Sequence, residues 1–101
     1  MLDPTLLEQL QAISMLTVDT PEWKAAVNRF LVASEPLVPG IVVYAGRQPH
    51  INLGRDRDEL MQIVRETAER MLREVSNRRF PLPFEAWEAV LLTRSRSAAR
   101  D

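Results

Sequence analysis

From Leu60 to Val75 the chain sets Leu60, Ile63, Val64, Thr67, Ala68, Met71, Leu72 and Val75 three and four residues apart, with no proline or glycine among them. That period aligns side chains on one face of a helix. The opposite face carries Glu66 with Arg70, Glu69 with Arg73 and Glu74 with Arg78. Each acid lies four residues ahead of its base, the orientation that supports a helix. Upstream, Asp56 can cap, Glu59 completes a capping box, and Asp58 adds negative charge to the first turn. The spacing predicts a helix over 57–78, about 33 Å long at 1.5 Å per residue. An apolar stripe of that length needs a partner surface, which the rest of the chain must supply.

Two shorter helices precede it. Asp3-Pro4 reads as a cap followed by a first-position proline, with Leu6, Leu7, Leu10 and Ile13 at helical spacing. Thr20-Pro21-Glu22 repeats that start, and Trp23, Ala26, Val27, Phe30 and Leu31 form its stripe. Pro36 and Pro39 are expected to end the second helix and lead into an extended path. Ile41-Val42-Val43-Tyr44-Ala45, β-branched and aromatic, then reads as a strand. Gly46-Arg47-Gln48-Pro49 reads as a hairpin turn, and His50-Ile51-Asn52-Leu53 as a half-exposed second strand. After the long helix, Phe80-Pro81-Leu82-Pro83 is a break, followed by a short helix with Phe84, Trp87, Val90 and Leu91 inward. The expectation is an α+β domain in the order α-α-β-β-α-α. It comprises one compact unit over 1–93 and a flexible basic tail over 94–101.

The chemistry open to such a chain is narrow. It contains no cysteine, so disulfides, thiol nucleophiles and thiolate metal sites are excluded. His50 is the one histidine, too little for a histidine metal site or an evident nucleophile–base pair. Gly46 and Gly54 are too far apart for a dinucleotide fingerprint, and Gly54 lacks the lysine and hydroxyl of a phosphate loop. Asp56, Asp58 and Glu59 would themselves occupy the positive end of the long helix and repel phosphate. No catalytic residue, cofactor site or metal site is therefore assigned. No signal peptide and no run of about 18 apolar residues is evident, so the expected address is cytoplasmic, without a membrane span.

Two functional readings follow. The first is a small non-catalytic binding or assembly protein that works through protein–protein contact as a homodimer, an exposed strand pairing across a two-fold axis. Its candidate partner-binding residues are Tyr44, Arg47, Gln48, His50, Phe80 and Phe84, although Phe80, Phe84 and Trp87 read more readily as core. The second is a nucleic-acid-binding regulator of truncated winged-helix type. Lys24, Asn28 and Arg29 would face the groove, Arg47 would sit at the wing tip, and Arg94 and Arg96 would lie in the tail. A net charge of −1 and only two positive charges on the recognition face weigh against it.

Overall fold

The computed structural model describes residues 2–46, 57–81 and 83–100. Among these, every regular element is helical. They are α1 (Pro4–Ser14), α2 (Pro21–Ser34), a 3-10 turn (Glu35–Leu37), α3 (Val38–Gly46), α4 (Arg57–Ser76), a second 3-10 turn (Phe84–Ala86) and α5 (Trp87–Arg100).

The first two helices begin where their caps place them. Asp3 Oδ1 accepts from the Thr5 amide at 2.7 Å, and Thr20 Oγ1 from the Trp23 amide at 3.2 Å. A proline follows each cap, where its missing N–H costs nothing. Helix α4 is the centre of the fold and touches α1, α2, α3 and α5. It buries Leu60, Val64, Thr67, Ala68, Met71, Leu72 and Val75, nearly the whole stripe; Ile63 is half-buried.

Helix α4 ends two residues before the expected boundary. Arg78 turns into the left-handed region at φ 58°. The Arg78 amide then donates to Val75 O at 3.3 Å and the Arg79 amide to Glu74 O at 2.8 Å, a double closure that satisfies the last carbonyls. The Glu74 side chain is not paired with Arg78. It accepts instead from Arg94 Nη1 of α5 at 2.5 Å.

The expected α+β class is overturned, because Ile41–Ala45 is helical and belongs to α3. Backbone angles stay right-handed through Ser34 (−93°, −1°), Glu35 (−53°, −37°) and Val38 (−61°, −47°). The two prolines do not break the run because each falls in the first turn of a new segment, Pro36 in the 3-10 turn and Pro39 in α3. Packing selects the helix. It sets Val38, Ile41 and Val42 together against α4 and α5, where all three are buried. A strand would send Ile41 and Val42 to opposite faces. Burying three such side chains together is worth roughly 5–9 kcal/mol, while β-propensity scales span only about 1 kcal/mol. Gly46, placed in a hairpin turn by its sequence context, closes α3; the expected second strand over 50–53 and residues 47–49 lie outside the described residues.

The expected tail is also different. Helix α5 runs to Arg100, with Ser95 and Ala99 each 1% exposed. They continue the inward row begun by Trp87 and Leu91, at steps of four. Composition concealed this, since serine and alanine, not large apolar residues, fill the last inner positions.

Two clusters fix the core. Trp87, fully buried, meets the Phe30 ring edge-on at 5.0 Å and the Phe80 ring at 5.7 Å. At the other end, Trp23 Nε1 donates to Ser76 Oγ at 2.8 Å, and Ser76 Oγ donates to Ile13 O at 2.8 Å, joining α2, α4 and α1.

Candidate functional site

A broad concavity lies between the C-terminal half of α2, the first 3-10 turn and α4, and it is closed below by Leu91 of α5. Its volume is about 550 Å³. Leu31 of α2 and Leu37 of the 3-10 turn line it, each half-buried beside the inward row of the α2–α3 run. With Val38, Ala68 and Leu91 they form an apolar floor. Val32, 76% exposed, stands on its lip.

The rim is polar and mostly acidic. Glu35 of the 3-10 turn accepts from Arg65 Nη2 at 2.5 Å, which raises the Arg65 pKa, chiefly through that hydrogen bond. Glu66 accepts from Gln62 Nε2 at 3.1 Å, and Glu69 lies one turn further along α4. Of three rim carboxylates, one is matched by Arg65. The remaining two, Glu66 and Glu69, are solvent-exposed on neighbouring turns. The site can hold an apolar surface and favours positive charge around it.

A second feature adjoins it. Val32, Ala33, Pro36, Pro39, Gly40 and Val43 are all exposed along the outer side of the α2–α3 run. Between Arg29 and Gly46 the sole ionisable side chain that the sequence provides besides Tyr44 is Glu35, which is held by Arg65. A Cβ built on Gly40 would meet open space. The sequence reading found no membrane-length apolar run, because Glu35 and the prolines divide it. Joined by the structure, the helical run Pro21–Val43 does have such length, and an 18-residue window within it reaches a mean hydropathy of 1.3. Its inner side, from Trp23 through Val27, Phe30, Val38 and Ile41, is packed in the core.

The residues singled out from the sequence are scattered. Phe80 is buried beside Trp87, and Phe84 is half-buried against Phe80 at 6.1 Å between ring centres. Tyr44 belongs to α3, with its side chain outside the described part; Arg47, Gln48 and His50 lie outside it altogether. Lys24, Asn28 and Arg29 are exposed on α2, and they diverge. Asn28 borders the groove, whereas Arg29 borders a hollow against α1 beside Glu8. Arg94 is engaged by Glu74 and Arg96 is half-buried on α5. The winged-helix arrangement fails with the hairpin, since its first strand is α3. Among the described residues, no three acidic or histidine side chains converge as a metal site.

Leu31, Leu37, Glu66 and Glu69 were not singled out as a site. The available signal was an excess of apolar residues over 30–43, more than one face of a helix can bury. No protein-family model, curated protein or solved structure matches the chain.

Proposed function

We propose that this is a small non-catalytic assembly protein that acts through protein–protein contact and self-associates through the outer side of α2–α3. The observation that carries the reading is the uncharged exposed row from Val32 to Val43. A helix that is apolar on its outer as well as its inner side is normally covered. A second copy supplies a matching surface without placing a charge against it. An antiparallel two-fold crossing sets Val32 of one copy opposite Val43 of the other and Pro36 opposite Pro39, a self-complementary contact. Gly40 costs about 1 kcal/mol of helix propensity relative to alanine; its bare backbone permits close approach. The row is about 18 Å long, short of the roughly 800 Å² per partner in a standard interface. The expected dimer is therefore weak, with a dissociation constant on the order of micromolar or above.

Sedimentation equilibrium of the full chain over a wide concentration range tests this. Concentration-dependent dimerisation is expected, and Gly40→Arg should abolish it while leaving the melting curve native. A strictly monomeric wild type, or a dimer indifferent to both Gly40→Arg and Val32→Glu, would remove the reading. Partition of a monomeric chain onto phosphatidylcholine–phosphatidylserine vesicles would assign the row to a lipid surface and overturn it equally.

A further inference from the structure

We infer that the acid-rimmed groove takes an amphipathic helix from a second protein, one with leucine-sized residues on its apolar face and lysine or arginine along its flanks. This rests on the protein-binding reading above but uses an adjoining surface, which shares Val32 at its lip with the self-association row. The groove's volume of about 550 Å³ suits the insertion of a few side chains. Helices seated in apolar grooves present such anchors at i, i+3, i+4 and i+7. Leu31 and Leu37 on one wall and Leu91 on the floor supply the apolar contact.

Charge decides the flanks. Glu35 and Arg65 neutralise each other. Arg73, further along α4, is committed to Asp19 through two contacts of 3.1 Å. Arg70 and Arg73 lie beside Glu66 and Glu69 on the outer face of α4. Among the described residues, however, Arg65 is the one cation in the lining of the groove, which therefore carries an excess of two negative charges. A basic flank gains from them, and an acidic flank or a phosphate backbone is repelled. The self-association row lacks this complement, since it brings no cation between residues 30 and 43.

The test uses the full chain and fluorescein-labelled synthetic helical peptides of about 14 residues, with leucine at the i, i+3, i+4 and i+7 positions. One peptide has lysine at the remaining sites, a second has glutamate there, and a third scrambles the lysine peptide. Fluorescence anisotropy should show saturable binding of the lysine peptide, at least tenfold tighter than the other two and weakened by added salt. The double charge reversal Glu66→Lys with Glu69→Lys should lower affinity for the lysine peptide at least tenfold and raise it for the glutamate peptide. Leu31→Arg should abolish binding of both while the chain stays folded by circular dichroism. Should Leu31→Arg prevent folding, Leu37→Gln serves, with at least a fivefold loss expected. Equal affinity for lysine and glutamate peptides, or indifference to the charge reversal, overturns the inference. Tight binding of the scrambled peptide does so as well. Gly40→Arg should leave peptide binding unchanged, and the charge reversal should leave sedimentation unchanged. Failure here and failure of the self-association reading are thus separately visible.

Discussion

Arg78 and Asp19 are the two non-glycine residues with positive φ among those described, at 58° and 68°. Their situations differ. Arg78 adopts the left-handed conformation to let two amides close the end of α4, which costs an L-residue about 1–2 kcal/mol. Arg78→Gly removes that cost but gives the unfolded chain more freedom, leaving a net gain of about 0.5–1 kcal/mol. A melting point raised by a few degrees is expected; an unchanged or lowered one would show the strain to be absent. Asp19 tolerates its conformation better and has a partner. Its carboxylate accepts from the Arg73 guanidinium, whose Cζ also lies 5.0 Å from the Trp23 ring centre. That hydrogen bond chiefly holds the Asp19 pKa below its ordinary 3.8; desolvation opposes it, and the charges of Arg73 and Lys24 add smaller lowering effects. A depressed carboxylate pKa stabilises the fold above the unfolded value and loses that contribution as pH falls toward the folded one. The stability difference between wild type and Arg73→Gln should therefore stay constant from neutral pH to about pH 5. Below pH 4 it should shrink. Urea titrations at pH 7, 5 and 3 check the sign, and a difference that grows on acidification would contradict it.

At the level of elements, what could be read in advance was whatever local chemistry determines. The caps at Asp3 and Thr20 and the stripe of α4 follow from neighbours within four residues, and both are found as read. Helix α3 was misread because its local preferences, β-branching and two prolines, oppose the outcome. The row Phe30, Ser34, Val38, Ile41, Val42 already has helical spacing, but it crosses both prolines and includes a serine. The groove was hidden for a related reason: Leu31, Leu37 and Leu91 come together only after α3 is helical and α5 has docked. Joints between elements depend on polar contacts as well. Ser76 is accepting from Trp23 and donating to Ile13, so Ser76→Ala orphans a buried indole N–H, while the Ile13 carbonyl keeps the Leu16 amide at 3.0 Å. The expected loss is about 1–3 kcal/mol, measured by urea denaturation. A change under about 0.5 kcal/mol would show that water satisfies the indole N–H.

For the whole molecule, stability converges on α4. Met71 is 0% exposed at its middle. Met71→Asp should cost more than about 4 kcal/mol, a large part of the 5–15 kcal/mol typical of a domain. An unchanged melting temperature would mean that Met71 is not in the core. The C-terminal boundary is a second test at this scale. Because Ser95 and Ala99 are buried and Arg94 holds Glu74, a chain stopped after Thr93 should lose at least the ~1–3 kcal/mol of a substantial core mutation. Equal stability of the shortened chain would show that the last two turns are dispensable. The placement of the tryptophans has a practical consequence. Trp87 is enclosed by phenylalanine rings, and Trp23 lies beneath a guanidinium with its indole nitrogen engaged. Two chromophores in such unlike surroundings equip the chain with built-in optical gauges. In Trp23→Phe the emission reports solely on the aromatic centre, and in Trp87→Phe solely on the corner where α1, α2 and α4 meet. Comparing the two along one urea gradient would reveal whether the ends of the molecule let go together or in turn.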